Sequence, residues 1–346
     1  MNETGKPVSE TGKVDREFFT EYIAGRLGAS RDDVRKGPKH GVDFGVVDVS
    51  ESALVVATDP ISILPALGFE RAGRFALRFV LADVAVSGLA PTHLAISFSL
   101  PPDMGDEEFA AVWQAIDEEC TDLGVAVVAG HTARYAGCQF PWVGSATAFG
   151  VGSPDEVIYP DGARPGDRLL ITKGPAVETT GLLTTLFPDQ VGLDKECLET
   201  AQQRLEDTDV VRDALATAQA GGVSAMHDAT EGGLLGALFE MADSGGVRIA
   251  VEKSVVPVLP GVSETCEELG MNPWHAGSGG TLVLSVDPES VDSVVEALET
   301  RGTPVGVAGR VETGEGVVLD GVEQTPPEGD SSWPVYERLL EEQHGE

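Results

Sequence analysis

The chain has 346 residues, 42 % of them hydrophobic, enough to bury two cores of ordinary domain size. Its formal net charge is −34, and the 57 acidic side chains are spread along the whole sequence rather than gathered in a tail. That distribution suggests an acidic coat suited to high salt and argues against nucleic acid or a membrane as partner. No apolar run reaches spanning length, Met1 to Glu10 has no signal-peptide core, and the cysteines (Cys120, Cys138, Cys197, Cys266) have neither disulfide nor zinc spacing, so a cytoplasmic protein with buried free thiols is expected.

In chain order, residues 1–14 read as disordered, and Asp15 is placed to cap a helix carrying Phe18, Phe19, Tyr22, Ile23 and Leu27 at helical spacing. Residues 1–35 are thus an N-terminal extension with one helix. Gly45–Val49 and Ala53–Ala57 read as short strands, the second ending at Thr58-Asp59-Pro60. A helix over Phe75–Ser87, stopped by Gly88, is followed by a strand over His93–Leu100, a long amphipathic helix over Asp106–Leu123, a buried strand over Val125–Ala129 and a strand over Trp142–Val151. The Pro/Gly/Asp-rich patch from Ser153 to Asp167 marks a boundary between domains at 36–155 and 160–320. Beyond it, strands at Arg168–Thr172, Val223–Met226, Val247–Val251, Gly280–Val286 and Pro304–Val311 alternate with helices at Glu178–Leu186, Val210–Ala218, Leu234–Ala242, Ser263–Leu269 and Ser290–Thr300. Both halves are therefore α/β or α+β layers, and residues 321–346 form an acidic tail with a last helix near Val335–Glu342.

The chemistry-bearing positions share a pattern: an apolar segment, then a carboxylate or polar group beside Gly or Pro. They are Asp43 in Gly41-Val42-Asp43-Phe44-Gly45, Asp59 in Thr58-Asp59-Pro60, and the turn Gly130-His131-Thr132 after Val125–Val128. Asp83 stands alone in the apolar run Phe79 to Val86. An ionised carboxylate buried there needs a partner. A Mg²⁺ ion held jointly by Asp43, Asp59 and Asp83 would supply it, and the plain alternative is helix capping or pairing with Arg74 or Arg78. Two glycine turns offer N–H donors for phosphate: His227-Asp228-Ala229-Thr230-Glu231-Gly232-Gly233 between a strand and a helix, and Thr172-Lys173-Gly174, whose Lys173 is one of few lysines. His227 by itself reads as a structural hydrogen-bonding residue rather than a base.

Taken in this order, these segments resemble the superfamily of aminoimidazole ribonucleotide synthase (PurM-like), which includes thiamine-monophosphate kinase, selenophosphate synthetase and the hydrogenase-maturation dehydratase HypE. The likeness runs from about Gly41 to Val311. It rests on Asp43, on Asp59, on Asp83 with Ser87-Gly88-Leu89-Ala90-Pro91, on Gly130-His131-Thr132, on Gly162-Ala163-Arg164-Pro165-Gly166-Asp167, on His227 to Gly233 and on Ser278-Gly279-Gly280-Thr281-Leu282. The last two, with Thr172-Lys173-Gly174 and the segment Cys266 to Pro273, look most like archaeal HypE homologues.

The resemblance implies a two-domain PurM-like architecture and a homodimer whose first domains pair their sheets. It implies ATP held through Mg²⁺ on Asp43, Asp59 and Asp83, with Gly130, His131, Thr132, Lys173, Gly232 and Gly233 around the nucleotide and His227 and Asp228 in the reaction. Phosphoryl transfer to a small or peptidyl substrate, with or without a following dehydration, is the implied chemistry. The departures are His131 where most branches carry a carboxylate, no reactive cysteine before Lys36, a single acid at Asp43, and a carboxyl end, Glu341 to Glu346, without the cysteine that HypE modifies. Two alternatives follow from them: a small-molecule kinase of the thiamine-monophosphate type, and a non-catalytic nucleotide-binding scaffold.

Overall fold

A computed structural model describes residues 12–14, 16–39 and 41–344 of the chain; the expected cap at Asp15 and most of the N-terminal polar stretch lie outside them. A short helical segment, α1 (Arg16–Phe18), runs on through a wider turn to Ile23, and its apolar side chains Phe18, Tyr22 and Ile23 stay exposed. The first half then builds one sheet from β1 (Val34–Lys36), β2 (Gly45–Val49), β3 (Ser52–Ser62), β4 (Pro91–Leu100), β5 (Ala126–Arg134) and β6 (Trp142–Gly152). Their order is β1-β2-β3-β6-β4-β5, antiparallel throughout except for the parallel pair β4 and β5. Helices α2 (Phe69–Ala85) and α3 (Asp106–Leu123) belong to this half.

Strand alternation fixes which side is covered. Ala53, Val55, Ala57 and Ile61 of β3 point inward and are almost fully buried, and α2 lays Ala72, Ala76 and Val80 into the same core at helical spacing. Each such Val or Ile contributes about 1.5–3 kcal/mol through its burial. The two helices approach closely at Gly73, where any Cβ would run into the Val112 backbone of α3.

The second half holds β7 (Arg168–Thr172), β8 (Val223–Ala229), β9 (Arg248–Val251), β10 (Thr281–Val286), β11 (Val305–Glu312), β12 (Gly316–Leu319) and β13 (Val322–Glu323), ordered β13-β12-β9-β11-β7-β10-β8. Its helices are α4 (Val177–Leu186), α5 (Lys195–Gln202), α6 (Val211–Ala220), α7 (Gly233–Gly245), α8 (Val262–Leu269), α9 (Val291–Thr300) and α10 (Trp333–His344). This sheet is covered on both faces, so its strands read as continuous apolar runs. Leu169, Ile171 and Val283 pack with Leu234, Leu238 and Met241 of α7 in one core; Leu170, Leu282 and Leu284 join a second core that is continuous with that of the first half. Among the described residues no helix is long and apolar enough to cross a membrane.

Three sequence expectations change. Strand β3 does not stop at Thr58-Asp59-Pro60 but runs to Ser62, because β2 leaves it after Val56 and Pro60 then sits on a free edge where its missing N–H costs no ladder bond. The strand expected to be buried before Gly130 is an exposed edge strand, and Gly130-His131-Thr132 lies within it rather than in a turn. The carboxyl-terminal segment is part of the fold: Val335 and Leu339 of α10 are buried and Tyr336 packs edge-on against Phe187.

Lys173 explains how α6 is tied to β7. Its Nζ sits 2.9 Å from Asp207 O, 2.7 Å from Asp209 O and 3.1 Å from Asp213 Oδ2, while Asp213 Oδ1 accepts from Arg301 Nε and Thr303 Oγ1 at 2.8 Å each. Both partners are buried. Asp213→Ala strands the ammonium and is expected to cost about 3–5 kcal/mol, read as a lower urea midpoint at an unchanged slope. A shift below 1 kcal/mol would show that the two carbonyls suffice.

Candidate active site

Residues 227 and 228 stand near the end of β8, and neighbouring residues of a strand project to opposite faces. His227 therefore points under α7 and Asp228 toward the first half. On the α7 side, His227 Nε2 lies 3.0 Å from Glu240 Oε2, and its Nδ1 lies 3.1 Å from Asp43 Oδ2 and 3.9 Å from Asp228 Oδ1. Asp43 arrives on the segment before β2, where Gly41 passes so close to Glu240 that a Cβ would collide with it. On the other side, Asp59 shares the inward face of β3 with Ala57 and Ile61, and Asp83 extends the buried stripe of α2, so that the two carboxyls meet at the sheet–helix junction and hydrogen-bond each other. The guanidiniums of Arg74 and Arg78 turn elsewhere, to Glu70, Glu118 and Glu119 and to Leu205 O, Thr208 and Glu206.

The cluster is held in an unsettled electrostatic state. Burial, then the charges of Asp59, Asp228 and Asp43, push the Asp83 carboxyl well above the ordinary carboxylate range. Burial also raises Asp59, although the bond to Asp83 and the Lys13 ammonium oppose it. Asp228 is raised by burial and held back by the neighbouring His227 imidazolium. For His227, burial is outweighed by Asp43, Asp228 and Glu240, which lift the imidazole well above its usual value. An imidazolium carrying both protons has no lone pair for a base; it works as a fixed cation between carboxylates. Glu178, at the start of α4, is raised to about 7 by burial, against the opposing hydrogen bond from Gly279 N at 3.1 Å.

Three buried polar atoms here lack any hydrogen-bond partner: Asp43 Oδ2, Asp228 Oδ1 and His227 Nδ1. The ligand atoms of Asp43, His227 and Asp228 all lie within 4.8 Å of one another. Orphaned oxygens buried this deeply are rare and costly, and a carboxylate set of this kind fits a hard divalent cation. Beside it, the Gly232-Gly233 turn opens α7, with Gly232 N donating to Asp330 Oδ2 at 2.9 Å.

Of the residues singled out in the sequence, Asp43, Asp59, Asp83, His227 and Asp228 come together, with Gly232 and Gly233 alongside. Lys173 does not join them, since its ammonium is engaged by Asp207 O, Asp209 O and Asp213. Gly130, His131 and Thr132 lie on β5, with β6 and β4 between that strand and β3; His131 Nε2 is 3.1 Å from Tyr135 Oη. Sequence reading missed Glu240 and Glu178, and named Glu231 only as part of the glycine turn. The signal for Glu240 was present, because Leu-Phe-Glu-Met-Ala is a lone acid in an apolar helix, as Asp83 is.

Residues 41–151 match the model of the AIR synthase related protein N-terminal domain, and residues 164–321 that of its C-terminal domain. The chain belongs to the AIR synthase related, PurM-like family. It is 27 % identical over 280 residues to carbamoyl dehydratase HypE of Rhizobium leguminosarum bv. viciae, covering 77 % of this chain and 74 % of that protein. The crystal structure of E. coli HypE superposes with a TM-score of 0.70 at 26 % identity, over 82 % of this chain and 88 % of that one. The crystal structure of a hydrogenase maturation protein HypE in complex with ATP shares the fold at a TM-score of 0.66 and 23 % identity, over 91 % of this chain and 95 % of that one.

The raised groups set the sign of the pH dependence. Asp59, Asp83, Asp228 and His227 bind protons more tightly in the folded chain, and for Glu178 the window runs from 4.5 to about 7. Their contribution to stability is complete below the unfolded values and is lost as pH rises through the folded ones. His275, lowered by burial, acts in the opposite direction. The metal-free protein is therefore expected to melt several degrees lower at pH 8 than at pH 5.5, and Asp83→Asn to flatten that slope. Equal slopes in the two proteins would remove Asp83 from the acid cluster.

Proposed function

We propose that this chain is an ATP- and Mg²⁺-dependent enzyme that transfers a phosphoryl group to an oxygen of a small or peptidyl substrate, in a HypE-like manner, as a homodimer. The observation that carries the reading is the convergence of Asp43, Asp59, Asp83 and Asp228 on one site with two orphaned buried oxygens, beside the glycine turn of α7. Mg²⁺ would be held by Asp43, Asp59, Asp83 and Asp228, and when bound it would neutralise the phosphate charge that these acids otherwise repel. The positive end of α7 would face a phosphate oxygen, and the Gly232 N–H, held by Asp330 in the ligand-free chain, would pass to that oxygen when Asp330 withdraws. His227 holds the Asp43 carboxylate in position through its Nδ1, and Glu178, near neutral in pKa, would hold or release a proton at the edge of the cluster. The ATP complex of a HypE with this fold and the dehydratase relatives support the nucleotide and the reaction class.

The homodimer is supported by the outward face of the first sheet. Val47, Leu54, Val56, Phe149 and Val151 lie on it, and the outward positions of β2, β3, β6 and β4 carry no carboxylate in a chain of net charge −34. Strand β5 is exposed at nearly every position, with Val128 at 57 %. An uncharged, half-apolar face of this size is the mark of a covered surface.

Calorimetric titration of ATP in molar KCl, with and without Mg²⁺, tests the reading. Binding is expected only with the metal, and Asp59→Asn should weaken it on the order of 10- to 100-fold while far-UV circular dichroism stays unchanged. Absence of nucleotide binding under every metal condition would sink the catalytic reading and leave a scaffold.

A further inference from the structure

The N-terminal segment reaches the acid cluster from outside. Lys13 N donates to Glu231 Oε1 at 2.9 Å, and its Nζ stands 3.6 Å from Glu240 Oε1, in electrostatic reach of Asp43, Asp83 and Asp228. The same Glu231 Oε1 accepts from Trp333 Nε1 of α10 at 2.8 Å, so the Gly12-Lys13 segment and the start of α10 meet on one carboxylate of the glycine turn. Arg16 adds a third tether, its Nη1 lying 2.6 Å from Asp243 Oδ2 on α7. Gly12 fits against this arrangement only because it lacks a side chain: a Cβ there would collide with the Glu231 carboxylate and the Trp333 indole nitrogen, at a φ of +116° that suits glycine. The C-terminal segment does the complementary thing, since Asp330 Oδ2 takes the Gly232 N–H at the head of α7.

We propose that the arm Gly12-Lys13 is a built-in latch, in which the Lys13 ammonium stands as a tethered counter-cation beside the metal site and is displaced when a divalent cation binds. The inference rests on the metal site proposed above. A monovalent ammonium near several acids stabilises the ligand-free state, and its departure opens the approach to Glu231 and the glycine turn. Metal affinity is then reduced by the fraction of molecules in which the latch is closed. By linkage, metal must loosen the arm as much as the arm weakens metal.

The test uses the full chain and Mn²⁺ alone as probe, comparing wild type with Lys13→Met, Lys13→Arg and Gly12→Ala. Gly12→Ala unseats the arm without altering any charge, which separates a latch from simple loss of a positive group. The latch predicts that Gly12→Ala and Lys13→Met both bind Mn²⁺ about tenfold more tightly than wild type, with Lys13→Arg near wild type. It also predicts that Mn²⁺ accelerates tryptic cleavage after Lys13 in the wild-type protein. Unchanged affinity in Gly12→Ala together with metal-independent cleavage would overturn the latch while leaving the metal site standing. Weaker Mn²⁺ binding in Lys13→Met would also overturn it, making Lys13 an aid to the site rather than a plug. If none of the four proteins binds Mn²⁺, the metal site and the latch fall together.

Discussion

Carboxylates from five places in the chain, the segment before β2, β3, α2, β8 and α7, are pressed together where the two halves meet, with too little positive charge to balance them. Asp43, Asp59, Asp83, Asp228 and Glu240 crowd around a single imidazolium and the end of one lysine. In a medium of low effective dielectric such an assembly is repulsive unless protons or cations enter it. Asp43 Oδ2, Asp228 Oδ1 and His227 Nδ1 are buried without an aligned hydrogen bond, so hydrogen bonding does not relieve it. The fold holds this tension because the strand and helix ends that carry the acids are fixed by large cores on either side.

That arrangement accounts for much else in the molecule. β3 must continue past Ala57 to carry Asp59 inward to α2, and α2 must be buried on the sheet side to bring Asp83 down to it. Near the end of β8, the alternation of adjacent residues divides the work: His227 is anchored under α7 and Asp228 faces the first half. Arg78 of α2, bonding to Leu205 O and Thr208, ties the halves together near this junction. The acidic composition makes the contrast sharper, since the outward positions of β2, β3, β6 and β4 carry no carboxylate.

Much of this was legible in the sequence because a charge in an apolar context is a strong physical signal. Asp83 in its helix and Asp59 after an apolar strand stood out for that reason, and the strand–Gly–Gly–helix junction at residues 226–236 marked the start of α7 beside the cluster. Glu240 carries the same signature in the run Leu238 to Ala242, but its pairing with His227, thirteen residues away across the strand–helix junction, has no local pattern. Lys173 was misjudged for the opposite reason: scarcity of lysine suggested a ligand role, whereas its three acceptors come from residues more than thirty positions away, which no local pattern reveals. The exposed path of β5 was equally hidden, because an apolar run such as Val125-Ala126-Val127-Val128 reads as buried whether a chain covers it by itself or leaves it for another surface. The role of the N-terminal arm depends on a contact across more than two hundred residues and on a glycine whose missing side chain matters only against Glu231 and Trp333.

The central claim is that the acid cluster is a cation site. Diffraction from crystals soaked in Mn²⁺, with the ion located by its anomalous scattering, tests it most directly. The account predicts a peak among the carboxylates of Asp43, Asp59, Asp83 and Asp228, with the Lys13 ammonium moved away. A peak elsewhere, or an undisturbed cluster at saturating Mn²⁺, would contradict it and would leave the buried acids balanced by protons alone.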